Sequence, residues 1–443
     1  MRGAVEGRSS LWAKRISGYW PINREERGRA LWLTWQTAWL FAAQLIASLF
    51  NYLSNAAAGR FLGPVDYGAF AALSAILLIL VSLSGAVQTL TAQGVARLAA
   101  GGQRGEGAAL LRYLLTRWAL RWGGVATLLG LLLSPWLASR LHTSAGAAAT
   151  MSLALLPLAM LPVVQGALRG GQRFTALGAT NLLTGASRFV LTALLIYAGL
   201  GLVGAVAALP LSFLAATLLG LWLLRQALQG EAGDATLPAP WGSELARAGL
   251  GLLAFAFLVN ADVILVKNRF PGAEAGLYSA MAVLGKAVLY FPAAVTGVLL
   301  PLVVTRTVRG QRSLPLLLVS LGAVLALCAS LALPLSLFPR ALLRLLFGAI
   351  YVEHASLLGW YAVAMTLYAV ANVWLIYSIG KGHTRFAFGL LVIALAEAVA
   401  LLTLSLRLKE VVMVILAGGI AAVVWACAEG LMTLRSPKGG TVL

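Results

Sequence analysis

Cysteine, histidine and acid are all scarce in this chain. Its 443 residues hold two cysteines, three histidines and 14 acids. Cys328 and Cys427 both sit inside apolar runs, which excludes a disulfide framework and a zinc site. His142, His354 and His383 stand singly near the ends of such runs and form no ligand cluster. Aspartate occurs only as Asp66, Asp234 and Asp262, thin material for a hydrolase or transferase centre. A nucleotide motor is excluded as well. No G-x-x-x-x-G-K-[ST] run is present, and "IGKGHT" at 379–384 lacks the earlier glycine. The expectation is a protein that is not an enzyme and needs no metal or cofactor.

What fills the chain instead is hydrocarbon. Apolar residues make up 60% and charged residues 11%, with a mean hydropathy of +0.90. A soluble domain carries about 45–50% apolar and about 25% charged residues. Water cannot solvate such a surface, so a polytopic membrane protein is the class that fits. The net charge of +19 would suggest nucleic acid in a soluble protein. Here the bases are scattered over short loops, where they set orientation against an anionic leaflet, and no nucleic acid is expected.

A membrane span needs about 20 mostly apolar residues. Runs of that kind cover 33–57, 68–92, 115–138, 147–168, 174–198 and 201–224. Six more cover 247–266, 276–304, 314–338, 355–379, 386–406 and 411–434. Between the sets lies "RQALQGEAGDATLPAPWGSE" (225–244), whose Pro, Gly and acids mark a linker. The division is then an arm (1–30), a six-helix lobe (31–224), a linker (225–244), a second six-helix lobe (245–434) and a tail (435–443). Of the 33 bases, 23 fall on the side of the termini and eight on the other, with Arg188 and Lys286 inside spans. By the positive-inside rule both termini are cytoplasmic and the site is the cell's inner membrane. The arm carries Trp12, Tyr19 and Trp20 among bases, a composition suited to the headgroup layer rather than to a signal peptide.

The two halves repeat each other. "GRFLGPVDYGAFAAL" (59–73) is echoed by "NRFPGAEAGLYSAM" (268–281) about 209 residues later. Asn51 precedes Arg60-Phe61 by the same interval as Asn260 precedes Arg269-Phe270. Gly68 and Phe70 match Gly276 and Tyr278 with one residue slipped, Arg97 matches Arg306, and Gly102-Gln103-Arg104 matches Gly310-Gln311-Arg312. "GGQRF" (170–174) echoes "GHTRF" (382–386). Six is even, so both units enter from the same side. The repeat is parallel, about an axis along the membrane normal, and two such lobes frame a cleft suited to alternating access.

The R-x-L-G-x-x-x-Y-G-x-F stretch after a first span carrying Asn resembles the N-terminal signature of polysaccharide-exporter flippases. "GAEAGLYSAMAVLGKAVLYFPAAVTGVLLPLVV" (272–304) is similar to the same family in its second half. That family belongs to the multidrug/oligosaccharidyl-lipid/polysaccharide (MOP) exporter superfamily. The resemblance implies a V-shaped all-α bundle of about twelve helices. It also implies inner-to-outer movement of polyprenyl-diphosphate-linked saccharide through a membrane lipid environment, with pathway polymerases and glycosyltransferases as neighbours.

Polar residues at membrane depth nominate the site. Asn181, Thr184, Arg188 and Thr192 share one face of the fifth span, and Ser279, Lys286 and Tyr290 one face of the eighth. The first span offers Gln44, Ser48, Asn51 and Asn55, the seventh Asn260 and Lys267, and the tenth Tyr361, Tyr368 and Asn372. Two cations among amides, hydroxyls and rings suit a diphosphate bearing sugars. Arg188 and Lys286 either face the cavity or pair with Glu397, Glu429 or a backbone carbonyl. The Asn and Thr stripes serve equally as hydrogen bonds between helices. Asp262, Glu397 and Glu429 are the acids at membrane depth, candidates to hold H⁺ or Na⁺ if transport is ion-coupled. Lys267, five residues after Asp262, is no helical neighbour of it and is free to snorkel outward.

Two other functions compete. A drug/cation antiporter of the same superfamily requires buried carboxylates in the N-terminal lobe. There the only acids past the arm and before the linker are Asp66 and Glu106, both in loops. A scaffold without transport leaves the buried charges and the repeat unexplained.

Overall fold

The structure, a computed structural model, describes residues 24–101, 104–228, 241–270, 272–309, 311, 313–404 and 407–435. Trp12, Tyr19 and Trp20 of the arm, residues 229–240 of the linker and the tail beyond Arg435 lie outside them. Among the described residues, ten helical stretches are long and apolar enough to cross a membrane. Two are too long for one crossing. At 1.5 Å per residue, the 63 residues of Ala38–Ala100 would reach about 95 Å, three times a hydrocarbon core.

Both long stretches turn at glycine. Gly63 has φ 73° and ψ 169°, a conformation closed to most side chains, and Pro64 opens the next helix. The limbs are α1 (24–62) and α2 (64–100). Gly199 and Gly201, also at positive φ, separate α5 (174–198) from α6 (Gly201–Leu228). Between them lie α3 (104–140), which contains a π-helical turn at Leu114–Ala119, and α4 (145–170). The second lobe comprises α7 (Trp241–Arg269), α8 (273–308, interrupted at Phe291-Pro292), α9 (Leu314–Leu337), α10 (Leu358–Gly380), α11 (Arg385–Thr403) and α12 (Leu408–Arg435). Among the described residues, two lobes of six helices result once the two long stretches are divided at their glycines. Helix α6 runs on to Leu228 and α7 starts at Trp241, so both reach into the segment read as a linker.

The lobes meet at one end. A continuous core joins N-terminal-lobe residues such as Ala58, Tyr67, Phe70, Leu141 and Leu209 to the bulk of the C-terminal lobe. All of these lie near the end that carries the Gly63 turn. Toward the opposite end the N-terminal lobe keeps a separate core around Val87, Leu114, Val164 and Leu224.

At the shared end the repeated sequence packs against itself. A Cβ on Gly68 would lie 2.9 Å from the Gly276 nitrogen, and one on Gly276 would overlap the Pro64 carbonyl. These glycines are repeat mates, so α2 and α8 cross where the pseudo-twofold axis passes, backbone against backbone. The flanking contacts follow the same symmetry. The end of α1 meets the segment after α9: Arg60 Nε donates to the Leu346 carbonyl at 2.9 Å, and Arg60 Nη2 to that of Leu345. The end of α7 meets the end of α3, with Asn268 Nδ2 donating to the Arg140 carbonyl at 2.8 Å.

The stretch after α9 is more than a loop. Pro339–Leu346 forms a short helix, and Ala349–Val352 a 3₁₀ turn. Arg60 caps the carbonyl end of that short helix, where a cation is favoured. Tyr351 donates to the Gly59 carbonyl at 2.7 Å, and its ring packs with Tyr67 and Phe347. Burial raises the Tyr351 pKa above its ordinary value, so the hydroxyl remains a donor. Lys267 does not snorkel. It is fully buried, with Nζ 3.4 Å from the Val65 carbonyl, because α2 of the other lobe covers it.

Gly276→Val should hold this end open, since a branched side chain cannot occupy space filled by the Pro64 backbone. Spin labels at Ser139 and Glu274, with Cys328 and Cys427 replaced, would report the distance across the end. The wild type should show a short-distance population that the variant loses; an unchanged distribution would remove the steric account of the crossing.

Candidate functional site

Helices α1 and α5 run side by side, and their seam carries much of the polar material. Gly178 and Gly185, two turns apart, admit the other helix: a Cβ on Gly185 would come within 2.6 Å of the Ala47 carbonyl oxygen. The close approach lets side chains pair in constant register. Asn181 Nδ2 donates to Gln44 Oε1 at 3.0 Å, Arg188 Nη1 to Asn51 Oδ1 at 3.1 Å, and Ser54 and Thr192 share a hydrogen bond at 2.9 Å. The stripe read on the fifth span therefore does hold helices together. Asn55 contributes less, its amide donating to the Asn51 carbonyl one turn back.

The seam also borders a cavity of about 290 Å³, framed by α1, α2, α4, α5 and α6. Gln44, Asn51, Asn181 and Thr184 line it, joined by Ser84, Gln88 and Gln165, which sequence reasoning passed over. A signal is present in the sequence, since an amide within an apolar run such as "LPVVQGAL" is as costly as the asparagines of the first and fifth spans. Arg188 reaches this cavity through Asn51. No carboxylate pairs with it among the described residues, and its Nε is buried without a hydrogen-bond partner. The buried Tyr67 hydroxyl is unpartnered as well. A guanidinium with an orphaned N–H is a site that an anion or a water would satisfy.

The second lobe handles charge differently. Lys286, expected at the cleft, is buried and paired to Asp262 at 3.0 Å, with Asn260 Oδ1 at 3.5 Å. Its partner is neither Glu397 nor Glu429. Asp262 also accepts from Tyr278 at 2.8 Å and Tyr361 at 2.6 Å, both at Oδ2, so each of its oxygens has a donor. Asn260 is buried too, its amide donating to the Ala256 carbonyl. Two turns along α10 from Tyr361, Tyr368 donates to Glu397 at 2.6 Å. Tyr368 is fully buried and borders no cleft, because Glu397 and the backbone of α12 close over it. Glu429 accepts from Trp374 Nε1 at 2.8 Å. Tyr290 is 43% exposed and Asn372 half-buried, and neither lines the N-terminal-lobe cavity.

The architecture has relatives among solved structures. A multidrug resistance MATE family transporter of the MOP superfamily, in an inward-facing conformation, matches with a TM-score of 0.72 at 17% identity, over 91% of this chain and 99% of that one. The chain shares its fold. An outward-facing MATE family transporter matches at 0.59 and 16%, over 91% and 96%. A MOP superfamily transporter from Pyrococcus furiosus Vc1, for which a reverse polarity of the binding pocket suggests a different function, matches at 0.57 and 16%, over 91% and 96%. By sequence, neither a family model nor a curated protein matches.

The Lys286–Asp262 pair is buried deeply enough for its members to depend on each other. Breaking such a pair costs about 3–5 kcal/mol, whereas replacing both partners is often nearly neutral. Lys286→Met and Asp262→Asn should each lower the melting temperature of the purified protein sharply, and the double variant should recover most of the loss. Additive losses in the double variant would show that the two residues stabilise the lobe separately.

Proposed function

We propose that this chain is a flippase that moves polyprenyl-diphosphate-linked oligosaccharide from the inner to the outer leaflet by alternating access. The observation that carries the reading is the distribution of charge. The N-terminal lobe offers an uncompensated guanidinium at Arg188 beside a neutral, amide-lined cavity. The carboxylates at membrane depth all lie in the other lobe, engaged by Lys286, Tyr368 or Trp374. Such a cavity attracts an anionic head and repels an organic cation. Arg188 with Asn51 forms the first contact for the phosphates, Asn181 lines the neighbouring cavity, and Tyr290 and Asn372 serve the head from the second lobe.

The membrane is the cell's inner membrane, with both termini in the cytoplasm, as the 23-to-8 division of bases supports. The sealed Gly63 end then faces outward and the conformation is inward-open, in keeping with the higher score against the inward-facing relative. Asp262 already holds an ammonium, which leaves Glu397 and Glu429 as the carboxylates able to take up a proton or a cation during the cycle. Export of multidrug type, the alternative, draws its support from the relatives, which are described as multidrug resistance transporters.

The test is transport in proteoliposomes, with a membrane-impermeant glycan-modifying reagent reporting how much lipid-linked saccharide reaches the far leaflet. Losing one charge-assisted contact should slow crossing by about tenfold or more in Arg188→Gln, with the amount of folded protein unchanged. If lipid-linked saccharides never cross but an organic cation does, the drug-export reading takes the place of this one.

A further inference from the structure

The cavity in the N-terminal lobe holds no charge of its own. None of its lining residues is ionisable, and the polar ones are amides and hydroxyls. Three of the amides form a relay across helices: Gln165 Nε2 donates to Asn181 Oδ1 at 2.8 Å, and Asn181 Nδ2 donates to Gln44 Oε1 at 3.0 Å. A relay of this polarity leaves an acceptor at one end, Gln165 Oε1, and a donor at the other, the Gln44 amide nitrogen. Gln44 is exposed and Gln165 half-buried, and both line the cavity. Thr184 and Ser84 have already spent their hydroxyl protons on the Thr180 and Leu80 carbonyls of their own helices, and Phe213 supplies an apolar face.

We infer that this cavity is a subsite for one or two sugar residues of the transported head, separate from the contact that Arg188 makes with phosphate. The inference rests on the flippase reading and adds to it where the neutral part of the substrate sits. A sugar offers hydroxyls that donate and accept together with a carbon face. A fixed donor, a fixed acceptor and an aromatic ring meet those needs without charge. A cationic drug would find no anion here, and a bare diphosphate would find only Arg188 beyond Asn51. The volume is at the small end of ligand pockets, which run from about 300 Å³ upward, so it admits a mono- or disaccharide and not a long chain. The amides already hold one another in place, so little side-chain freedom is lost on binding.

One wall gives a clean way to close the cavity. Gly85 lines it from α2, and a Cβ built there meets nothing within 4 Å. Gly85→Leu would project into the space, break none of the relay's hydrogen bonds, and raise helix propensity. The protein should therefore fold, and its melting temperature should not fall.

Binding can be measured on the full chain purified in lauryldimethylamine oxide, a detergent without a sugar head. The probes are undecaprenyl diphosphate and the same lipid carrying one N-acetylglucosamine. The wild type should bind the glycosylated lipid about tenfold tighter than the bare one, as two added neutral hydrogen bonds predict. Gly85→Leu and Gln165→Leu should lose that increment and keep the affinity for the bare lipid. Arg188→Gln should weaken both lipids alike and leave their ratio unchanged. If the wild type gains nothing from the sugar, or the gain survives in both Gly85→Leu and Gln165→Leu, the subsite is overturned and the flippase reading stands. If neither lipid binds the wild type, both fall together.

Discussion

Two backbones touch where α2 and α8 cross, and the described structure is arranged around that contact. Gly68 and Gly276 leave no room for a Cβ between them, so the helices approach more closely than side chains would permit. Everything else at that end follows from the approach. The rings of Tyr67, Phe347 and Tyr351 can interlock, Arg60 can reach the end of the short helix Pro339–Leu346, and Lys267 can be covered. A seal made of glycine and a few polar contacts differs from the interior of a lobe. At the other end the N-terminal lobe retains its own core.

The lobes divide the polar work unequally. Among the described residues of the second lobe, the ionisable groups at membrane depth are partnered: Lys286 with Asp262, Glu397 with Tyr368, Glu429 with Trp374. Buried ionisable groups that are satisfied in this way hold a fold in register and change state only when something competes for them. The first lobe has an arginine whose Nε lacks a partner next to a cavity of neutral amides. An uncompensated cation in a membrane protein is costly, and retaining one makes physical sense where a ligand supplies the missing charge.

Much of this was readable before the helices were placed. Span positions followed from hydrocarbon length alone, and helix ends agree with them to within several residues over most of the chain. The polar face of α5 was visible in the spacing of Asn181, Thr184, Arg188 and Thr192, because side chains three, four and seven apart must share a side. Harder to read was what each face would meet. Lys286 and Tyr290 lie on one face of α8, yet the first is locked to Asp262 and the second is exposed. Gln165 and Gln88 carry no clear mark of a site in the sequence, because a lone amide in a span reads the same whether it meets a cavity or a neighbouring helix.

The sequence by itself determined the class, the number of crossings and the internal repeat. Each of these depends on composition and local spacing, and the bilayer converts them directly into helices. Only the tertiary structure decided that the repeated glycines meet one another, that Asp262 rather than Glu397 holds the lysine, and that Arg188 is left without an acid. Those are contacts between segments separated by tens to hundreds of residues. Their partners are chosen by how helices pack, and no local pattern along the chain encodes that choice.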